Sequence, residues 1–158
     1  RCLGDTEGKW VICGKVKYEK RLQIASENYR NVYFIGYADA KEMFEWANVL
    51  LHPSQFDSFA NAILEGMACK MPVIASNHPA FTNQSWPIDI FDDSSELERY
   101  LERYRFPKER RYAGRHNFNC LNRNYTHEKI GQKWVATLNY FYLAFKGFKT
   151  GREIIRNE

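Results

Sequence analysis

The sequence has few of the features that mark secreted, membrane-spanning or metal-stabilised proteins. No apolar run approaches the roughly 18 residues that a membrane-spanning helix needs, and we find no signal-peptide pattern. The four cysteines, Cys2, Cys13, Cys69 and Cys120, lack paired spacing, so they predict neither a zinc site nor a disulfide framework. We therefore expect reduced thiols and a cytoplasmic protein.

What the chain does contain is the composition of a soluble globular domain. It has 158 residues, of which 44% are hydrophobic, 16% aromatic and 27% charged, and its formal net charge is +4. This length predicts a single domain over residues 1–158, with C-terminal helices from about residue 96 onward packing on it. The sequence does not begin with Met, which is expected of a piece of a longer protein.

Short apolar runs that end at glycine or proline alternate with segments of helical periodicity. This alternation predicts an α/β fold, a Rossmann-like parallel sheet with helices on both faces. For the helix that begins near residue 59, Ser58 or Asn61 is the expected N-cap. Residues 92–95 are expected to cap the helix 96–104, with Ser95 and Glu98 as a capping box. The predicted strands are 10–14, 31–37, 48–52, 72–75 and an edge strand at 87–91, and the predicted helices are 19–29, 40–47, 59–69 and 96–104.

The segment 48–76 organises the chain, because it predicts a strand, a loop, a helix and a second strand. Ligands bind where such a loop leaves the carboxyl end of its strand, and the helix start suits a phosphate. Asp57 lies in the loop and Glu65 follows eight positions later, inside the helix. Carboxylates accept hydrogen bonds from sugar hydroxyls, so the combination indicates a sugar nucleotide. The alternative is an Asp57 that compensates the helix dipole and a Glu65 that only faces solvent.

The residues PSxxDSFxNAILEGMAxxxPVIAS, 53–76, resemble the donor-binding motif of the retaining, two-lobed glycosyltransferases. More narrowly, they resemble the group 1 (family four) hexosyltransferases, whose pattern has two Glu separated by seven residues. The resemblance implies that Glu65 holds the ribose and that Asp57 contacts the donor sugar, both as catalytic-site residues. It also implies that Gly36, Tyr37 and Ser58 to Asn61 (Ser58, Phe59, Ala60, Asn61) bind the donor, the last group through backbone amides that receive the diphosphate. No metal and no cofactor are implied beyond the nucleotide sugar itself.

Three residues depart from the family pattern. Asp57 is one methylene shorter than the usual Glu, which withdraws its carboxylate by roughly 1.5 Å. Ala60 replaces a usual Gly, so close approach of a phosphate to that backbone is less favoured. Lys70 replaces the Gly at the helix end, where a left-handed backbone is costly for any other residue.

Gly14 to Lys20 aligns with the family pattern in two ways. In one alignment Lys15 and Lys20 form the phosphate clamp. In the other, which the spacing favours, the segment is a later strand-to-glycine turn, and the clamp is absent from this chain. The lysines would then form only a solvated face.

Two regions beyond the motif carry further predictions. Residues 77–84 predict a polar loop on the same rim as Asp57, where His78 is expected to be only a surface residue, with a general base as the alternative. The segment from Arg103 to Lys133 contains nine Lys or Arg residues and two acidic residues. This region predicts two solvated helices, with a nucleic-acid or anionic-membrane surface as the alternative. Residues 130–148 predict an amphipathic aromatic helix bearing Trp134, Leu138, Phe141 and Phe145.

Together these features predict the donor-binding half of a retaining glycosyltransferase that uses a nucleotide-sugar donor. The missing half is an N-terminal lobe or a complementary subunit, because 158 residues leave no room for it. We expect a cytoplasmic location, with peripheral contact to the anionic membrane as an option, and no specific nucleic acid. The alternatives are a non-enzymatic, degenerate module of the same fold and a basic nucleic-acid-binding domain.

Overall fold

The structure, a computed structural model, describes residues 8–14, 24, 27–57 and 60–155, and for residues 145–155 it describes the backbone alone. The chain forms two compact units that meet in sequence between Phe118 and Asn119, so the single domain stays a prediction. The strands are β1 (Trp10–Cys13), β2 (Val32–Gly36), β3 (Leu50–His52), β4 (Val73–Ser76) and β5 (Asp89–Phe91). The helices are α1 (Ala40–Trp46), α2 (Asn61–Ala68), α3 (Pro79–Thr82), α4 (Ser94–Arg103), α5 (Pro107–Asn124) and α6 (His127–Ile155).

All strand pairs in the described residues are parallel, which confirms the α/β prediction. Hydrogen bonds join β1 to β2 in one sheet and β3, β4 and β5, in that order, in a second sheet. The predicted edge strand is therefore found at β5. Most of the predicted helix 19–29 lies outside the described residues.

The core of the first unit surrounds β4, the central strand of the three-stranded sheet. Val73, Ile74 and Ala75 are fully buried, and Ile63 and Met67 of α2 are buried with them. This burial explains why the run 73–75 is apolar at successive positions instead of alternating. Helix α2 lies close to β3, since a Cβ placed on Gly66 would be 2.8 Å from Cδ2 of Leu50.

Helix α2 begins differently from the prediction. Neither Ser58 nor Asn61 is the N-cap; Ala60 takes that position with a left-handed backbone (φ 39°, ψ 64°). No side chain of the cap residue bonds to the helix, because alanine has none that can. The side chain of Asp57 instead accepts a hydrogen bond from the Ala60 amide at 2.8 Å.

Helix α2 ends in a Schellman motif. The amide of Met71 donates to the carbonyl of Gly66 at 3.0 Å, and the amide of Lys70 donates to the carbonyl of Met67 at 3.1 Å. Lys70 is left-handed, with φ 58°, as the family pattern at that position requires. Two of the three departures therefore fall on residues with a left-handed backbone.

Helix α5 packs against the residues that follow α2. A Cβ on Gly114 would be 1.8 Å from the carbonyl oxygen of Lys70, so only glycine allows this approach. One turn later the buried side chain of Asn117 donates from Nδ2 to the carbonyl of Met71 at 2.8 Å. The end of α2 is thus fixed by α5 as well as by its own hydrogen bonds.

Helix α4 is capped by Asp93, which lies within the predicted capping segment 92–95, whereas the predicted capping box of Ser95 and Glu98 is wrong. Asp93 Oδ1 accepts from the amides of Ser95 and Glu96 at 2.8 and 3.0 Å, and Glu96 Oε2 accepts from the amide of Asp92 at 3.0 Å. The hydrogen bond from the Ser95 hydroxyl, followed by those from the amides of Glu96 and Ser95, lowers the pKa of Asp93. The box begins two residues earlier than predicted, because an aspartate competes for the cap position as well as a serine does.

The C-terminal end of α4 is bonded to the edge strand. The Tyr104 hydroxyl and the Arg103 guanidinium both donate to Asp89 of β5. Burial, followed by the bond to Asp89, raises the pKa of Tyr104. Arg110 Nη1 then donates to the carbonyls of Tyr104 and Arg105 at 2.7 and 2.9 Å, which satisfies acceptors left open at the helix end.

Several cations of the basic stretch have partners inside the chain. Besides Arg103 and Arg110, Arg105 pairs with Glu102 at 3.3 Å, and the Lys133 ammonium lies 5.8 Å from the ring centroid of Tyr125. Such contacts are typical of solvated helices. Nucleic-acid binding by this stretch is not tested by them and stays an alternative.

Helix α6, in the second unit, exposes much of its apolar surface. Trp134, Leu138 and Phe141 are 63%, 60% and 54% exposed, and Tyr140 and Tyr142 are exposed too. The predicted Phe145 lies beyond the side chains that the structure describes. Contact of this face with a partner lobe or with an anionic membrane surface stays a prediction. Among the described residues, no helix is long and apolar enough to span a membrane.

The left-handed backbone at Lys70 predicts the effect of two matched substitutions. Both Lys70→Gly and Lys70→Ala remove the ammonium that lies 4.9 Å from the ring centroid of Phe118. Only glycine removes the cost of about 1–2 kcal/mol that an L-residue incurs there. We expect Lys70→Gly to be more stable than Lys70→Ala by about 1 kcal/mol, or about 2–4 °C in Tm. Calorimetric melting checks this, and an equally stable or more stable alanine variant would contradict it.

Candidate sugar-nucleotide site

The loop between β3 and α2 is held in place by its own serine and by one from β4. Ser54 Oγ donates to the carbonyl of Phe56 at 2.9 Å, and Ser76 Oγ, at the end of β4, donates to the carbonyl of Ser54. The second bond connects the carboxyl ends of two neighbouring parallel strands. The loop that carries Asp57 therefore has a defined position above the edge of the sheet.

Both carboxylate oxygens of Asp57 have partners within the loop and strand. Oδ1 accepts from the Ala60 amide, and Oδ2 lies 3.1 Å from Nε2 of His52, the last residue of β3. The side chain of Asp57 is 23% exposed, so solvent reaches part of it. The bond to Ala60 agrees with the alternative interpretation, in which Asp57 serves the start of the helix. The contact between Asp57 and a donor sugar stays a prediction.

The start of α2 offers backbone amides to an anion. The amide of Ile63 donates to the carbonyl of Ala60 at 2.9 Å, whereas the amides of Asn61 and Ala62 have no hydrogen-bond partner within the described residues. Unpaired amides and the positive end of the helix dipole together favour a phosphate here. The side chain of Asn61 is exposed beside them.

Glu65 lies one helical turn after Asn61 and is exposed. Residues four apart lie on the same face of a helix, so its carboxylate is directed to the same side as the Asn61 side chain. In the described part of the chain, Glu65 takes part in no ion pair. An exposed carboxylate near unpaired amides can accept hydrogen bonds from hydroxyls while the amides bind phosphate.

Gly36 and Tyr37 lie at the carboxyl end of the other sheet. Gly36 closes β2 with φ 69°, a left-handed conformation that favours glycine, and its carbonyl accepts from the amide of Gly14 at 2.7 Å. Tyr37 is 92% exposed. No hydrogen bond among the described residues joins this sheet to the one that carries Asp57, so the role of Gly36 and Tyr37 stays a prediction. Lys15, Lys20, Ser58 and Phe59, which were also predicted, lie outside the described residues.

His78 is half-buried and forms a hydrogen bond within its own segment. Its Nδ1 accepts from the Ala80 amide at 3.2 Å, so it caps α3. The predicted loop 77–84 thus contains a short helix, which Pro79 at the first helical position favours. The imidazole also contacts the buried ring of Phe81, with ring centroids 5.3 Å apart.

The residue that the sequence analysis missed is His52. Its position at the end of a strand and five residues before Asp57 was the available signal, but the pairing depends on how the loop turns back. No cluster of His, Cys, Asp or Glu in the described residues has the composition of a metal site. A cavity of about 340 Å³ lies elsewhere, between the β1–β2 sheet and α1, and none of the predicted site residues lines it.

Comparison with known proteins identifies the family. Residues 5–84 match the family model of the glycosyl transferases group 1. The chain is also 33% identical, over 135 residues, to a viral protein (isolate Australia/Victoria) that is named a glycosyltransferase, ORF31. The chain therefore belongs to the group 1 glycosyltransferases, as its motif indicated.

Solved structures show the same fold. Anabaena Alr3699/HepE, solved in complex with UDP and glucose, superposes with a TM-score of 0.73 at 18% identity, over 84% of this chain and 40% of that chain. Sucrose-phosphate synthase from Thermosynechococcus elongatus has a TM-score of 0.71 at 20% identity, over 87% of this chain and 39% of that chain. At these identities the likeness shows the fold alone and confirms the Rossmann-like α/β prediction.

The chain corresponds to less than half of each of these proteins. The aligned region is 85% of this chain but 43% of the viral relative, and the two solved structures give similar shares. Each relative therefore has a second portion that this chain does not match.

Proposed function

We propose that this chain is the donor-binding part of a retaining hexosyltransferase, which moves a hexose from a nucleotide sugar to a glycan, lipid or similar acceptor. The observation that carries the proposal is the start of α2, where two unpaired amides lie one turn before the exposed Glu65. The amides would receive the diphosphate, and Glu65 would accept hydrogen bonds from the ribose hydroxyls. HepE, of similar fold, was solved with UDP and glucose, which agrees with such a donor.

The leaving diphosphate needs stabilisation, and the chain supplies it through its backbone. As the bond between the sugar and the diphosphate breaks, negative charge grows on the phosphate oxygens, and fixed N–H dipoles lower the energy of that state. Lys15 and Lys20 would add cationic contacts if the clamp alignment is the correct one. Asp57, at the end of the loop, would face the sugar and help to orient its reacting carbon.

A thermal-shift panel of UDP-, GDP- and ADP-sugars tests whether the chain binds a donor at all. At a ligand concentration of about 100 times Kd, binding stabilises the folded protein by about 2.7 kcal/mol, or about 5–10 °C in a chain of this size. We expect one base to give this shift. If no sugar nucleotide shifts the melting temperature, the degenerate, non-enzymatic module becomes the better interpretation.

Within the same panel, Glu65→Ala should lose most of the shift. Losing a charge-assisted hydrogen bond weakens binding by about 1.5–3 kcal/mol. Glu45→Ala is a matched control, because Glu45 is an exposed helical glutamate on α1, paired only loosely with Lys41 at 3.9 Å. Calorimetric titration should find the control close to wild type. Unchanged affinity in Glu65→Ala would contradict the ribose assignment.

Asp57→Ala should affect binding of the donor's sugar differently from binding of its nucleotide. If Asp57 contacts the sugar, the variant binds the sugar nucleotide about tenfold or more weakly, which is the cost of about one charge-assisted hydrogen bond. It should bind the plain nucleoside diphosphate nearly as well as wild type does. Titration calorimetry with both ligands measures this. An equal loss for both would show that Asp57 mainly shapes the loop through its bond to the Ala60 amide.

A complementary lobe should be needed for turnover. The chain matches 43% of its viral relative, and α6 exposes Trp134, Leu138 and Phe141, as surfaces that meet a partner often do. We expect the isolated chain to bind the donor but to release nucleoside diphosphate no faster than the spontaneous rate when an acceptor is added. A coupled assay for the released diphosphate checks this. Turnover on the order of 1 per second by the chain alone would contradict it.

A further inference from the structure

His52 is held by contacts on its backbone and on its ring. As the last residue of β3, it pairs with Ala75 in the parallel register of the central strand. Its imidazole meets the ring of Phe81 edge to face, with centroids 5.3 Å apart and an interplanar angle of 76°. Phe81 is 1% exposed, so the surface against which the imidazole rests belongs to the packed core.

This fixed imidazole reaches the carboxylate of Asp57. Nε2 of His52 lies 3.1 Å from Oδ2, and the two side chains are 20% and 23% exposed. An ionised carboxylate only accepts hydrogen bonds, so Nε2 carries the proton and donates. Because Oδ1 accepts from the Ala60 amide on the other side, the two bonds together fix the rotation of the carboxylate about its Cβ–Cγ bond.

An oriented carboxylate is useful at this place in the fold. Asp57 is shorter than the glutamate usual in the family, so it cannot reach further by changing its rotamers. Its effect on a ligand depends on the orientation of the carboxylate at the loop end. A group that is already oriented loses less conformational entropy when a ligand binds, and bonds from outside the site keep such groups in place.

We propose that His52 is a positioning residue, which orients the Asp57 carboxylate toward the sugar of a nucleotide-sugar donor. This inference rests on the proposed function, since it assigns a purpose to Asp57 within that same site. It predicts that His52 affects the sugar end of the donor and leaves the nucleotide end nearly unchanged.

Two substitutions at His52 separate the hydrogen bond from the packing. His52→Phe keeps an aromatic ring against Phe81 but removes the donor. His52→Gln replaces the imidazole N–H by an amide N–H of similar reach. Titration calorimetry with UDP and with UDP-glucose should show His52→Phe binding UDP-glucose about tenfold more weakly, the cost of about one hydrogen bond to a charged group. UDP should change by less than about twofold, and His52→Gln should bind UDP-glucose within about threefold of wild type.

The dependence on Asp57 is measured in a double-mutant cycle. In an Asp57→Ala background, His52→Phe should cause no further loss of affinity for UDP-glucose. Three results would overturn the proposal: equal losses for UDP and UDP-glucose, no rescue by glutamine, or a full additional loss in the Asp57→Ala background. Each would indicate that His52 acts on the fold and not through the carboxylate.

A ligand-free measurement keeps this inference separate from the proposed function. If the wild-type chain binds no sugar nucleotide, the proposed function fails in the thermal-shift panel. Urea unfolding of the four proteins of the cycle (wild type, His52→Phe, Asp57→Ala and the double variant) still tests the pairing of His52 with Asp57. Each substitution changes the unfolding equilibrium constant by a factor. We expect the factor for the double variant to differ by about fivefold or more from the product of the two single factors, as for residues that share a hydrogen bond. Independent effects would show that His52 does not hold Asp57, and positioning would be ruled out.

Discussion

The carboxylate of Asp57 connects the end of β3 to the start of α2, and the arrangement of the site depends on that connection. Through Oδ2 it bonds to His52, which belongs to the sheet, and through Oδ1 to the amide of Ala60, which belongs to the helix start. The loop between strand and helix has to reverse direction over a few residues without a glycine. Two hydrogen bonds to one short side chain stabilise that reversal and hold the helix start at the edge of the sheet.

Helix α2 has a left-handed residue that is not glycine at each of its ends. Ala60 and Lys70 have φ angles of 39° and 58°, at positions where the family usually has glycine. The strain is tolerated because the surroundings fix it. Ala60 is buried and bonded to Asp57, and Lys70 is held by the Schellman motif and by the close approach of Gly114. The position of the amides at the helix start depends on this geometry more than on any side chain.

The second unit differs from the first in what its residues contact. In the first unit the apolar residues of α2 and β4 are buried against each other, and α4 and α5 are attached through Asp89 and Met71. In α6 the large apolar side chains from Trp134 to Leu143 are exposed. The matched relatives are more than twice the aligned length, and contact of this apolar face with a further lobe stays a prediction.

The sequence by itself determined the class of fold, and it predicted the loop at which a donor would bind. Residues 73–75 are apolar at every position because β4 is buried on both faces. The resemblance of residues 53–76 to a donor-binding motif indicated the family, whereas the spacing of Asp57 and Glu65 alone left two interpretations open. The sequence did not predict that Ala60 caps α2, which residue of 92–95 caps α4, that residues 77–84 contain a helix, or that His52 pairs with Asp57. These features depend on which of several suitable donors and acceptors come close together. Local propensity leaves that choice open, and the tertiary structure decides it, because burial and the parallel register of β3 and β4 fix where each loop must turn.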